Sequence, residues 1–367
     1  MIIKHLELEH FRNYEKSSVD FCPQRNIIFG NNAQGKTNLL EAISFLSLAK
    51  GIRAKKDSEQ ISFGEEEARV KAKIDTQERD FEVEALLFGK RRRLFFVNGV
   101  RQKTAAGQAG LLRTVFFSPD DLYIIKEGAA ERRRFIDMIL CQLRPGYAKA
   151  VSEYNRLYDH KARILRDGEK KPSLYDTLID FNYRMAEVGA VIIGYRARFA
   201  DKLSEIAAEI HLEFSGGLEE LKIEYKTVGT VTDAHAERET ICRQLHEHQK
   251  EHIHAEIESR NCLSGPHKDE LDISINGQTA KRFASQGQTR TAALSMKLAE
   301  REIHRRDSGE YPVLLLDDVL SELDKSRQEF VLNHITEGQV LITCCEDGGL
   351  ASLSGGKILR LHEGKIT

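Results

Sequence analysis

Apolar and polar positions alternate in two different styles along this chain. Residues 2–9 (IIKHLELE) alternate with a period near two, and residues 24–29 (QRNIIF) end in a short apolar run; both patterns predict strands. Residues 38–48 (NLLEAISFLSL) have helical spacing and begin straight after a glycine-containing stretch. Residues 66–101 predict a β-meander, in which 81–88 and 94–97 precede Asn98-Gly99, a strong hairpin turn. The style changes near Ser118. From 129 to about 213, and again from 234 to 259, the sequence is mostly helical, with charged faces and few turn residues, and 221–228 between them reads as a short strand pair. Strand patterning returns at Cys262. Residues 270–275 and 279–283 flank Asn276-Gly277, a helix is expected from 289 to about 306, and 312–316 and 339–343 are apolar strands.

This order predicts one α/β domain formed from both chain ends, residues 1–117 and 263–367, interrupted by a mainly helical insertion at 118–262. A length of 367 residues fits two domains better than one core. The composition, 41% hydrophobic and 31% charged, is that of a globular protein. A formal net charge of −2 offers no global basicity, so any contact with nucleic acid must come from local patches. The six cysteines form no CxxC pair and no zinc-finger spacing, which predicts reduced thiols in a cytoplasmic protein. No long apolar run predicts a membrane span.

Residues 30–37 read GNNAQGKT and match G-x-x-x-x-G-K-[ST] between a predicted strand and a predicted helix. Gly30, Asn31, Asn32, Ala33, Gln34 and Gly35 would turn backbone N–H groups around phosphate oxygens. Lys36 would neutralise the β/γ-phosphates of ATP, Thr37 would ligate Mg²⁺, and the following helix N-terminus favours an anion. A plain glycine turn is the competing reading. Residues 313–318 (VLLLDD) carry an apolar strand into two carboxylates, the Walker B arrangement. Asp317 would hold Mg²⁺. Asp318 stands where ABC-type ATPases usually carry the glutamate that orients the attacking water, and its shorter side chain predicts slow hydrolysis. Helix capping is the bland alternative for this pair. SELD at 321–324 follows, a segment that crosses the subunit interface in ABC-type dimers. SQGQ at 285–288 opens a predicted helix. In ABC ATPases such an element, here Ser285, Gly287 and Gln288, binds the γ-phosphate held by the other subunit. An ordinary capped turn would look the same, but the segment lies one helix and one strand before Asp317. The long stretch between Lys36 and Ser285 separates an inserted-arm head from a transporter subunit.

With those motifs in place the chain resembles the RecF family of bacterial ATPases related to SMC heads. The resemblance spans essentially the whole chain and rests on FRNY at 11–14, FFSPDDL at 116–122, ERRRFID at 131–137, SGPHKDEL at 264–271 and LLLDDVLSELD at 314–324. It implies an ABC-type, SMC-head-like P-loop ATPase with an inserted arm. It further implies an ATP-dependent homodimer that binds double-stranded DNA near gaps or junctions and helps load recombinase with RecO and RecR. Weak, DNA-stimulated ATP hydrolysis and roles in recombinational repair, replication restart and the SOS response follow from the same resemblance. Arg12 and Asn13 match an SMC-type position near nucleotide, for which an exposed strand-end loop is the alternative. The histidine switch usual after the strand at 340–343 is missing, with Thr343 or Cys344 in that region. Ser118 to Asp121 is the nearest candidate for a Q-loop.

DNA could meet Lys50, Arg53, Lys55 and Lys56, or the KRRR turn with Arg91 and Arg92, or Arg132 to Arg134, through sequence-independent phosphate contacts. A solvated charged face is the competing reading for each. His246, His248, His252 and His254 lie on one charged helix and read as a solvated face rather than a metal site. The aromatics at 147–158 and 181–199 read as the core of the insertion. Three other functions compete: an SMC-like head of another DNA-processing system, a transport ATPase subunit, and a scaffold with a structural nucleotide.

Overall fold

The computed structural model describes residues 1–54, 56–103, 110–320, 323–345, 356–362 and 364–366. In chain order the strands are β1 (Ile2–Phe11), β2 (Tyr14–Asp20), β3 (Arg25–Phe29), β4 (Glu67–Asp75), β5 (Asp80–Phe88), β6 (Leu94–Val97), β7 (Val100–Arg101), β8 (Thr114–Phe117), β9 (Leu221–Lys226), β10 (Glu270–Ile275), β11 (Gln278–Thr279), β12 (Val313–Asp317), β13 (Val340–Cys344), β14 (Lys357–His362) and β15 (Lys365–Ile366). The helices are α1 (Lys36–Leu48), α2 (Tyr123–Lys126), α3 (Ala129–Leu143), α4 (Pro145–Asp167), α5 (Leu178–Phe214), α6 (Arg238–Ser259), α7 (Ala280–Phe283), α8 (Gln286–Ser308) and α9 (Lys325–His334).

The chain divides into two compact units, residues 1–122 with 294–367 and residues 123–293. The first unit contains two sheets. One is antiparallel, in the order β2-β1-β4-β5-β6-β7; the other runs β15-β14-β3-β13-β12-β8 and is parallel from β14 to β8. Helix α1 contacts β1, β4 and β5 of the first sheet and β8, β12 and β13 of the second. It is accordingly apolar nearly all round, with Leu39, Leu40, Ile43, Phe45 and Leu46 fully buried. Gln339, also fully buried, stitches the two sheets together. Its amide accepts from Ile3 N–H at 2.7 Å and donates to the carbonyls of Ile3 and Cys22 at 2.8 and 2.9 Å, so no polar atom of the side chain is wasted.

The second unit combines α2 to α7 with the small sheet β11-β10-β9. Its centre is polar as well as apolar. Arg196 on α5 donates to Asp137, to Asp269, to the Pro266 carbonyl and to the Tyr147 hydroxyl. Asp269 in turn accepts from Tyr225 and, at 2.9 Å, from Thr227. Lys161 and Glu256 form a second pair 2.6 Å apart, both fully buried.

Several expectations shift. Residues 221–228 hold one strand, β9, rather than a pair, and its partner is β10. That pairing joins residues after Cys262 to the second unit, so packing divides the chain later than the style change does. Of the expected strand at 279–283 only Thr279 pairs, together with the preceding Gln278; Ala280–Phe283 turn into the short α7. β2, β8, β14 and β15 were not foreseen. β2 (YEKSSVD) is a polar edge strand that buries only Tyr14 and Val19, whereas β8 (TVFF) is buried at all four positions and shows no alternation.

Candidate nucleotide-binding site

Strand β3 ends at Phe29 and α1 begins at Lys36, so the predicted phosphate loop is the turn between them. Two glycines are required by its geometry. Gly35 caps α1 at φ 107°, a left-handed conformation, and a Cβ there would lie 2.5 Å from the Asn13 amide. A Cβ on Gly30 would lie 2.7 Å from the Leu361 carbonyl oxygen. The N-cap of α1 is Gly35, and no side-chain cap is made there among the described residues, which leaves N–H groups of the first turn for an anion. Asn31, Asn32 and Ala33 are exposed on the crown, while Lys36 is buried at its foot.

Lys36 Nζ donates to the carbonyls of Gly30 at 2.5 Å and Asn31 at 3.1 Å, and to Cys345 Sγ at 3.2 Å. Thr37 Oγ1 donates to Asp317 Oδ1 at 2.9 Å. Thr343 Oγ1 reaches the same oxygen at 3.0 Å and accepts from Asp318 N–H at 2.8 Å. Adjacent parallel strands bring these groups together: β13 lies between β3 and β12, and Asp317 pairs in register with Thr343. Burial pushes the Asp317 carboxyl up, against the hydrogen bonds from Thr37 and Thr343 that favour its ionised form. An oxygen cluster of threonine hydroxyl and buried carboxylate beside a lysine and a free helix N-terminus suits a magnesium-bound polyphosphate.

The FRNY segment braces the loop from behind. Asn13 Nδ2 donates to the Gln34 carbonyl at 2.9 Å, Asn13 Oδ1 accepts from Asn38, and the Tyr14 hydroxyl donates to the Gly35 carbonyl at 2.9 Å. Arg12 reaches the Glu41 carboxylate at 2.9 Å and the Glu59 carbonyl at 2.7 Å, so it ties α1 to the following loop.

Three side chains have roles that local patterning did not reveal. Arg53, expected on a DNA-binding patch, lies 3.4 Å from Asp317, 3.5 Å from Asp120 and 4.0 Å from Glu41. Thr343 bridges both acidic residues. Cys345 occupies the region of the missing histidine switch, with Sγ 2.8 Å from Asn32 Oδ1 and 3.7 Å from Asp318 Oδ2. Ser118 N–H donates to Asp121 at 2.7 Å, and Asp121 is buried 3.9 Å from Lys297.

The signature segment belongs to the second unit. Ser285 and Gln288 cap one another at the start of α8: Ser285 N–H donates to Gln288 Oε1 at 2.9 Å, and Gln288 N–H donates to Ser285 Oγ at 3.1 Å. Of SELD, Ser321 and Glu322 lie outside the described residues, and Asp324 caps α9 by accepting from Arg327 N–H at 2.9 Å.

Lys50, Lys56, Arg91 and Arg92 are exposed; Lys55 lies outside the described residues. Arg91 stacks on the Phe88 ring, 3.7 Å from its centroid. Arg132 is not a surface cation. It is buried in a bidentate pair with Glu270, at 2.7 and 2.9 Å, and Arg133 donates to the Asp269 carbonyl. His248 and His252 stack on each other, and no group of three possible metal ligands occurs among the described residues. None of the six cysteines forms a disulfide among the described residues. No described helix is long and apolar enough to cross a membrane.

A family model described as the RecF/RecN/SMC N-terminal domain matches residues 2–361. The "DNA replication and repair protein RecF" of Agathobacter rectalis is 39% identical over 344 residues, covering 94% of this chain and 92% of the relative. Its counterpart in Clostridium acetobutylicum is 37% identical over 369 residues, covering 100% and 99%. A solved structure described as the recombination mediator protein RecF-ATPrS in the RecFOR pathway superposes with a TM-score of 0.93 at 32% identity, covering 100% of this chain and 97% of that one. An SMC head bound to the C-winged helix domain of ScpA matches at a TM-score of 0.55 and 18% identity, a likeness of fold alone.

Proposed function

The chain belongs to the RecF family, within the wider RecF/RecN/SMC group, and on that premise we propose that it works as a nucleotide switch on DNA. It is an ATPase of DNA repair and replication restart, weak and DNA-stimulated, that binds double-stranded DNA and forms homodimers. The observation that carries the switch is the convergence of Lys36, Thr37, Asp317, Asp318 and Cys345, from three distant stretches of chain, on the mouth of one loop.

In this reading, the loop N–H groups and Lys36 bind the triphosphate of ATP. Thr37 and Asp317 would hold magnesium, which neutralises charge on the phosphates when bound. Gly30 and Gly35 fit that cradle because no Cβ could be accommodated at either. Thr343 keeps the Asp317 carboxylate oriented, and Asp318 accepts a proton from the attacking water. Arg53 stands beside the same carboxylate as a further cation. Ser285 and Gly287 of a second copy complete the site, with the Ser285 hydroxyl and the α8 N-terminus facing the γ-phosphate. ATP thereby joins two heads, and the joined surface clamps DNA near single-strand gaps. Hydrolysis removes the γ-phosphate contact and releases it. Lys50, Lys55, Lys56, Arg91 and Arg92 serve as phosphate contacts, and RecR and RecO act with the clamp to load recombinase.

Sedimentation with and without saturating Mg-ATP tests this directly. Dimers should appear only with nucleotide and should be lost in Ser285→Arg. A chain that stays single while still binding gapped duplex at full strength overturns the reading. The short Asp318 side chain sets turnover well below about 10 s⁻¹, a typical enzyme value.

A further inference from the structure

The signature segment is held from behind by a short polar relay. Gln288 Nε2 donates to Glu219 Oε1 at 2.9 Å, and Glu219 Oε2 lies 3.1 Å from His211 Nε2. His211 is fully buried in the last turn of α5, and it also hydrogen-bonds the main chain of Thr291, one turn into α8. Glu219 itself is anchored, because its N–H donates to Ser215 Oγ at 3.1 Å in the turn that carries the chain from α5 towards β9. The relay therefore begins and ends on the first turns of α8.

We infer that Glu219 and His211 are positioning residues for the signature segment, acting through the Gln288 amide. The chemistry is one of orientation. A primary amide has a donor end and an acceptor end of the same shape, and only its partners decide which faces where. The Glu219 carboxylate accepts only, so it takes the NH₂ end of Gln288. The carbonyl end is then left for Ser285 N–H. With its other main-chain partner, Gln288 N–H, occupying a lone pair of Ser285 Oγ, the serine hydroxyl proton is free to donate outward to an anion. His211 keeps the carboxylate from turning away.

This inference rests on the proposed composite site and is tested beside it. Four full-length proteins are compared in Mg-ATP: wild type, Glu219→Ala, Glu219→Gln and Ser285→Arg. Dimerisation is read by sedimentation, and the affinity of single heads for a fluorescent ATP analogue is read at protein concentrations below dimerisation. Glu219→Ala should weaken the ATP-dependent dimer about tenfold, the loss of roughly one charge-assisted hydrogen bond, with single-head affinity unchanged. Glu219→Gln should restore the dimer to within about twofold, since its amide carbonyl can still accept from Gln288. If Ser285→Arg fails to dimerise while Glu219→Ala dimerises as wild type, the relay is wrong and the composite site stands. If Ser285→Arg dimerises normally, the composite site falls and the relay with it. Equal loss in the alanine and glutamine variants would make charge, not orientation, the function of Glu219 and would overturn the inference. Should the alanine variant melt early, His211→Gln replaces it, with the same expected loss of dimer and the same unchanged single-head affinity.

Discussion

The phosphate loop of the first unit and the arginine cluster of the second both gather charge in a confined space, yet they are built on opposite principles. Around the loop, among the described residues, the helix N-terminus has no side-chain cap, Lys36 leans on carbonyls and a thiol, and room is kept by two glycines. In the second unit, Arg196 has all three nitrogens occupied by Asp137, Asp269, Pro266 and Tyr147. A charge awaiting a ligand and a charge already matched look alike as letters. What separates them is whether the surrounding donors have partners.

The sharpest way to break that contrast is to remove one charge from each. Arg196→Met should destabilise the protein by about 3–5 kcal/mol in urea unfolding, because the fully buried Asp269 would be left without its cation and the partly buried Asp137 would lose its partner. Lys36→Ala should cost about 10²–10³ in ATP turnover, the usual loss for one preorganised electrostatic group. Its stability should change by about 1 kcal/mol or less. A large stability loss in the lysine variant, or a small one in the arginine variant, would erase the distinction.

A milder test uses acid. Burial lowers His267 of the second unit from 6.5 to about 4, and His304 of the first from 6.5 to about 3. Both rings stay neutral in the fold while the unfolded chain takes up a proton below pH 6.5, so stability is full above that value and is lost as pH falls. Each ring should contribute a loss of about 2 kcal/mol between pH 7 and pH 5, read from urea midpoints. The two differ in their partners. His267 is bonded to Tyr154 and to the Cys262 carbonyl, whereas neither ring nitrogen of His304 has a hydrogen-bond partner among the described residues. His304→Leu should therefore flatten the pH slope at little cost at pH 7, and His267→Leu should cost stability at both. The smallest expected effect is at the brace: Asn13→Ala should weaken ATP binding severalfold, about 1 kcal/mol, by releasing the Gln34 carbonyl.

The first principle is legible in sequence because it is local. GNNAQGKT compresses strand end, glycine turn and helix start into eight letters, and VLLLDD announces a buried strand meeting a polar rim. The second principle is not, because its partners lie far apart. Arg132 sits in an ERRR run that looks like a surface patch, and only the register of β10 brings Glu270 to it. Arg53 was read with its lysine neighbours for the same reason, although its partner is Asp317. Cys345 and Thr343 could be located as the end of an apolar strand, but their contacts with Lys36 and Asp317 depend on strand order. The polar edge strand β2 escaped because a strand with one solvated face and few apolar residues has no periodic signal to offer.

The order of strands around the loop also bears on how the protein is made. β3 is synthesised long before its two neighbours in the sheet, β13 and β14. At about 5–20 residues per second, the nascent chain carries an apolar α1 and an unpaired β3 until those strands follow. Its nucleotide pocket closes only once Cys345 has cleared the ribosome. Until then β3 and α1 are natural clients for chaperones, and a stalled or truncated product would be a sticky intermediate rather than a weak enzyme.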